Sequence, residues 1–143
     1  MKHILSTLCI FFCCTLSMAQ STESTNNDWN EITRQNGVVF YVKRAYCDVI
    51  KGQKPLYYSF MKIVNTTGEN YQLSFNFGLQ YEEGCSGCED FTEHHVTMIL
   101  TPNQIIEGEC DFKNVGLTRL IVNPNLSGGW KFQQEVITNL DIK

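Results

Sequence analysis

The sequence predicts an all-β fold, an antiparallel sandwich of two sheets with about eight short strands. Apolar and polar side chains alternate with a period of two from Trp29 onward, which is the pattern of strands with one buried face. Turn-forming Asn, Pro and Gly separate these segments, and no segment shows the period of an amphipathic helix. Two stacked sheets give each alternating strand one packed face and one solvated face.

The first three strands are expected at about 29–35, 38–47 and 56–65. Asn36-Gly37 separates the first two, and this dipeptide is a strong signal for a tight hairpin. The third strand carries large side chains on both faces. It is therefore predicted to be a central strand that is partly covered on its outer side.

The clearest alternation is in the fourth strand, YQLSFNFGLQY, residues 71–81. The odd-numbered side chains, from Tyr71 to Tyr81, are predicted to face the core. The even-numbered positions are predicted to face solvent: Gln72, Ser74, Asn76, Gly78 and Gln80.

Three strands at about 91–101, 104–110 and 115–122 and a final strand in WKFQQEVITNLDIK complete the prediction. In the final strand the alternation is broken at Gln134 and Thr138. Its apolar face is expected to comprise Trp130, Phe132, Val136, Leu140 and Ile142.

The N-terminal segment MKHILSTLCIFFCCTLSMAQ has the pattern of a secretory signal peptide. Lys2 precedes an apolar run from Ile4 to Leu16, which is too short to cross a bilayer with ease. Small residues stand at the −3 and −1 positions of a cleavage site between Ala19 and Gln20. A retained anchor is the alternative. The predicted organisation is a signal peptide at 1–19, a disordered polar lead-in at 20–28 and one domain at 29–143, located in the periplasm, outside the cell or at its surface.

The charge pattern argues against two classes of partner. The formal net charge is −4, and no basic residues are clustered. Nucleic acids and anionic membrane surfaces both require such clusters. After signal cleavage no segment is apolar enough to span a membrane, and no cofactor is expected.

The cysteines predict a disulfide framework. Of the seven, Cys9, Cys13 and Cys14 lie in the signal peptide. The mature chain keeps an even number, Cys47, Cys85, Cys88 and Cys110. Four cysteines allow three pairings, which the sequence does not resolve. We favour Cys47 and Cys110 each bonding to one of the two loop cysteines. The second choice is Cys47–Cys110 together with Cys85–Cys88.

The stretch YEEGCSGCEDFTEHH, Tyr81 to His95, has two alternative interpretations. Cys85 and Cys88 have zinc-like spacing, and His94, His95 or Cys110 would complete a metal site. On a strand His94 and His95 face opposite sides, so at most one of them can join. Cys85-Ser86-Gly87-Cys88 would also be an exchange dithiol, although the neighbouring acids should raise the thiol pKa.

The acids of this stretch mark a candidate binding loop. They lack the spaced Asp pattern of a calcium loop, which favours a solvated acidic loop. Binding residues commonly lie on loops held by a rigid scaffold. The candidate residues are Glu82, Glu83, Glu89 and Asp90.

The order of several segments resembles a set of uncharacterised small secreted β-sandwich proteins of Gram-negative bacteria. The segments are GVVFYVKRAYC, YYSFMKIVNTT, LSFNFGLQYEEGCSGCEDF, VTMILTPNQIIEGEC and a final strand ending in NLDIK. The resemblance implies an immunoglobulin-like sandwich. It implies no activity, so it assigns no functional residue.

These features together predict an exported, disulfide-stabilised module that binds or makes structural contacts and is not an enzyme. The sequence has no Gly-x-Ser-x-Gly elbow, glycine-rich phosphate loop or His-Glu-x-x-His motif. The expected partner is an envelope protein, a surface polymer or a small ligand. The alternative is a metal-binding or thiol–disulfide protein centred on Cys85 and Cys88.

Overall fold

The computed structural model describes residues 28–89, 94–121 and 131–143, which form nine β-strands in two antiparallel sheets and a single 3-10 turn at Val115–Leu117. These residues contain no α-helix, as predicted. The predicted signal peptide at 1–19, the predicted lead-in up to residue 27, Asp90 and Trp130 lie outside the described residues. The strands are β1 (Asn30–Gln35), β2 (Val38–Cys47), β3 (Leu56–Asn65), β4 (Tyr71–Tyr81), β5 (Gly84–Ser86), β6 (His95–Leu100), β7 (Ile105–Glu107), β8 (Thr118–Leu120) and β9 (Phe132–Ile142).

The first sheet is built around β3. β2 pairs with β3 along its whole length, and β1 pairs with the first half of β2. On the other edge of β3, β7 lies opposite residues 62–64 and β8 lies opposite residues 58–60. Met61 is buried on the inner face and Phe60 on the outer face, which confirms that β3 is a central strand covered on both sides.

The second sheet is built around β4. β9 pairs along one edge of β4. On the other edge β6 pairs with residues 71–76 and β5 with residues 79–81. The sequence did not predict β5, because three residues are too few to show a period.

The core lies between the inner faces of the two sheets. The odd-numbered side chains of β4 at 73, 75 and 77 face it, as predicted. The Phe40 and Phe75 rings meet edge to face across the sheets, with centroids 5.5 Å apart. The buried core residues are Val38, Phe40, Val42, Met61, Ile63, Leu73, Phe75, Phe77, Val96, Leu100 and Leu117.

The hairpin between β1 and β2 has the predicted two-residue turn. Asn36 and Gly37 both have positive φ, at 51° and 78°, and Gln35 pairs with Val38. Positive φ at both central positions defines a type I′ turn, whose twist matches that of the strands. Asn and Gly tolerate this conformation better than other residues.

β9 departs from simple alternation at two places. Its pairing with β4 shifts register between Gln80 and Tyr81 and again between Ser74 and Asn76. Each shift leaves an extra residue in β9, and one of them, Asn139, has φ of +54°. The prediction of which side chains form the apolar face is therefore wrong in the middle of β9. Glu135 and Ile137 lie opposite Leu79 and Phe77, which face the core, whereas Val136 lies opposite Gly78 on the outer face.

Candidate functional site

The CSGC loop forms a local disulfide on the outer face of the second sheet. Cys85 and Cys88 are bonded, with Cα atoms 5.8 Å apart. The disulfide packs directly on the backbone of β4 at Gly78, where a side-chain Cβ would lie 2.6 Å from Cys88 Sγ. The prediction that Asn76 and Gly78 face solvent is therefore wrong, because the loop buries both of them.

Polar contacts hold this loop to β9 and β4, and His95 of β6 bonds to the β4 side chains beneath it. The Thr138 hydroxyl donates a 2.7 Å hydrogen bond to the Cys88 carbonyl. The Asn76 amide donates to the Glu89 carbonyl, and its Oδ1 lies 2.6 Å from His95 Nδ1. Ser74 Oγ lies 3.0 Å from His95 Nε2. These bonds compensate for burying the polar Asn76 side chain.

The second disulfide joins Cys47, at the end of β2, to Cys110, with Cα atoms 5.6 Å apart. The favoured pairing, in which Cys47 and Cys110 each bond to a loop cysteine, is wrong, and the second choice is correct. The reason is topological: Cys85 and Cys88 lie on the second sheet, whereas residues 108–114 connect β7 to β8 on the first sheet and reach from that edge of β3 across to the end of β2.

The proposed metal ligands do not converge. Cys85, Cys88 and Cys110 are all in disulfides, so none of them offers a thiolate. In the part of the chain that the structure describes, no three His, Cys, Asp or Glu side chains are placed to hold a metal ion. His94 instead borders Gly87, whose φ is +82° and where a side-chain Cβ would lie 2.7 Å from the His94 ring.

The acidic residues of the candidate loop are dispersed. Glu82 and Glu83 form the turn between β4 and β5. Glu82 Oε1 forms an ion pair with Lys131 Nζ, 2.8 Å away. Glu83 and Glu89 are exposed, and Asp90 lies outside the described residues. The carboxylates of this loop that the structure describes do not converge on one metal-binding position.

The sequence did not predict an open cleft between the two sheets, which we call the lateral cleft. It lies where β1 and β2 of the first sheet face β9 of the second, and its volume is about 660 Å³. Ile32 of β1 is 36% exposed in its wall. The other lining residues include Asn30, Val42, Tyr57, Ile137 and Leu140.

An ion pair between the two sheets lies in the lateral cleft. Arg44 of β2 donates two 2.7 Å hydrogen bonds to the Glu135 carboxylate, through Nε and Nη2. The Ser59 hydroxyl of β3 donates a third, also 2.7 Å long. The guanidinium carbon of Arg44 lies 4.7 Å from the centre of the Phe132 ring. The Glu135 side chain is 3% exposed and that of Arg44 is 40% exposed.

This network fixes the charges of both partners. Burial alone would raise the pKa of Glu135, but the hydrogen bonds from Arg44 and Ser59 and the charge of Arg44 outweigh burial and lower that pKa. The hydrogen bond to Glu135 raises the pKa of Arg44, against the opposing effect of burial. Glu135 is therefore a carboxylate over the ordinary pH range.

One sequence signal pointed to this network. Arg44 continues the series Val38, Phe40 and Val42, so it stands at a core-facing position of β2. A charged residue at such a position requires a partner. Alternation does not reveal that partner, because the bulges of β9 decide which face Glu135 takes.

No protein-family model, curated protein or solved structure matches the chain. Its function is therefore inferred from its own geometry.

Proposed function

We propose that the protein is an exported, non-catalytic binding module whose binding site is the lateral cleft. The observation that supports this is the cleft itself: an open volume of about 660 Å³ whose walls are about half apolar and half polar, with one fixed ion pair. A concave surface that combines apolar side chains with fixed polar groups can bind a ligand and orient it. The proposed partner is an envelope protein, a surface polymer or a small ligand.

The chemistry of the cleft argues against catalysis. Ser59 is fully buried, and its hydroxyl is already donated to Glu135. A carboxylate whose pKa is lowered by an arginine is a weak general base. Glu135 and Arg44 largely neutralise each other, so neither is poised to stabilise a developing charge.

Export is proposed from the N-terminal sequence and from the sulfur chemistry. Residues 1–19 have the pattern of a signal peptide, and two disulfides persist best in an oxidising compartment. Among the described residues no helix is long and apolar enough to span a membrane. The resemblance implies a sandwich of two sheets, and the two antiparallel sheets agree with that coarser feature. Mass spectrometry of the exported protein should show a chain that begins at Gln20 and has no free thiol.

The binding test compares two exposed isoleucines. Ile32 lines the lateral cleft and is 36% exposed, whereas Ile99 on β6 is 70% exposed and does not line it. Immobilised chains of residues 20–143 with Ile32→Asp, with Ile99→Asp or without substitution are exposed to native envelope extract. We expect Ile32→Asp to lose a component that the other two chains capture. Equal capture by all three would contradict the assignment of the cleft.

A thiol–disulfide activity of Cys85 and Cys88 is the second candidate, because the guanidinium of Arg119 lies beside their loop. Arg119 Nη2 lies 3.4 Å from the Ser86 carbonyl, and both Arg119 and His94 border Gly87. Cations favour the thiolate. A glutathione titration distinguishes the two roles, because a structural disulfide has a reduction potential below about −300 mV and an exchange disulfide lies well above it.

A further inference from the structure

We propose that the lateral cleft binds an extended peptide of a partner protein, which adds to the edge of β9 opposite β4 as a further strand of the second sheet. This inference rests on the proposed function and names the class of ligand. It follows from a difference in width between the two sheets, from the pairing of β9 and from the side chains of the cleft.

The described strands leave one strand position of the second sheet empty. The first sheet is four positions wide: β1, β2, β3 and then β7 and β8 in series. The second sheet is three positions wide: β9, β4 and then β6 and β5 in series. Ile32 on β1 thus remains 36% exposed at the cleft. The lateral cleft is the space that a fourth strand beside β9 would occupy.

β9 offers the hydrogen-bonding edge that such a strand needs. Among the described residues, β9 pairs only with β4, and an added strand would bond to the backbone N–H and C=O groups on the opposite edge of β9. Residues 134–138 pair with β4 without a register shift, and a shift lies on each side of them. An added strand therefore finds a short regular edge. The bulges that flank it are features that hinder long edge-to-edge pairing between two copies, which favours a short peptide over a second copy.

The side chains of the cleft define the ligand further. Alternate residues of an added strand would point into the sandwich. There they would meet the apolar side chains of Ile32, Val42, Ile137 and Leu140. Glu135 is buried beneath Arg44, so the pair presents the guanidinium side to a ligand, although its net charge is close to zero. Nε and Nη2 of Arg44 bond to Glu135, which leaves the Nη1 donors outside the pair. The matching ligand has apolar residues at alternate positions and a hydrogen-bond acceptor near Arg44.

The test uses a synthetic peptide selected on residues 20–143 from a displayed library of random short sequences. We expect the selected sequences to share apolar residues at alternate positions. Bound peptide should slow hydrogen exchange of alternate backbone amides within 134–138 of β9. N-methylation of one peptide amide that faces β9 should weaken binding by about tenfold, because it removes a backbone hydrogen bond without changing a side chain.

The variants Ile32→Asp and Ile99→Asp serve as the matched pair. Both positions are exposed, so both variants should fold, which their thermal unfolding verifies. Ile32→Asp should weaken peptide binding by about tenfold or more, and Ile99→Asp should not. Equal binding by the two variants, or an N-methylated peptide that binds unchanged, would overturn the inference.

Four further results would change these assignments, and the first two would give the cleft a different occupant. If sedimentation detects dimers and their contact lies at β9, the occupant is a second copy of the chain. Tight peptide binding only after deletion of residues 20–27 would make the chain's own N-terminal segment the occupant. If Ile32→Asp loses envelope capture but the library yields no binding peptide, the proposed function stands and this inference is refuted. Equal capture by both variants would refute both.

Discussion

The chain between β7 and β8 on the first sheet and the chain between β5 and β6 on the second occupy equivalent places in the fold. Each interrupts the strand that lines one edge of a central strand, β3 or β4. Each covers part of the outer face of its sheet, with Phe112 against Tyr58 in one case and the CSGC disulfide against Gly78 in the other. Each also contains a disulfide-bonded cysteine.

The two disulfides differ in what they connect. Cys110 is bonded to a residue 63 positions away in the chain, at the end of β2. Cys85 and Cys88 are separated by three positions, so their bond closes only the loop itself. That loop owes its place on the sheet to the hydrogen bond from Thr138 and to the space above Gly78. The comparison shows that similar coverings are fixed by a long-range covalent link in one sheet and by local packing in the other.

The largest expected effect is the loss of the long-range link. The variant Cys47→Ala/Cys110→Ala should lower the free energy of unfolding by about 4 kcal/mol, because a long covalent loop strongly restricts the unfolded chain. Phe112, which has φ of +55°, should also lose its place against Tyr58. Denaturant unfolding measures the first effect, and NMR shifts of the Tyr58 ring measure the second. A loss below that of the local pair would contradict the comparison.

Removal of the local link is expected to cost less. The variant Cys85→Ala/Cys88→Ala should lower the free energy of unfolding by about 2 kcal/mol, since a short loop loses little entropy on closure. Hydrogen exchange should rise first in the Asn76 side chain and in β5, next to the loop. The first variant is the matched control. If β5 stays fully protected, the disulfide does not position this loop.

Gly78→Ala tests how closely the local disulfide is packed. The new Cβ would lie 2.6 Å from Cys88 Sγ and 3.1 Å from Cys85 Sγ, so the loop must shift. We expect a loss of about 1–2 kcal/mol, which is typical of overpacking. In the Cys85→Ala/Cys88→Ala background the same substitution should cost clearly less, because the two sulfur atoms are absent and only the 3.1 Å approach to Val136 Cγ2 remains. An equal loss of stability in both backgrounds would show that the new methyl group clashes with atoms other than the two sulfurs.

The comparison also explains which parts of the fold the sequence predicts. β2, β3 and β4 alternate regularly, and Asn36-Gly37 dictates its own turn, so local chemistry decides these elements. The disulfide pairing, in contrast, depends on which sheet carries each of the two connecting segments, the one between β7 and β8 and the one between β5 and β6. That is a long-range property, and no spacing of cysteines encodes it.

The lateral cleft was not predictable for the same reason. Its charge pair requires Glu135 to face the core, and the register shifts of β9 decide that orientation. Its width depends on how many strand positions each sheet fills. The short β5 and the burial of Asn76 likewise follow from tertiary placement of the CSGC loop.

The smallest effect concerns the hydrogen bond from Thr138 Oγ1 to the Cys88 carbonyl. Thr138→Val keeps the shape of the side chain and its preference for strands but removes the donor. We expect a loss of about 1 kcal/mol in denaturant unfolding, because the Asn139 amide, 3.4 Å away, is a poor substitute. Thr97→Val on the exposed side of β6 is the control and should change stability much less. If the two variants cost the same, the disulfide alone positions Cys88, and the local covering would be held covalently like the other one.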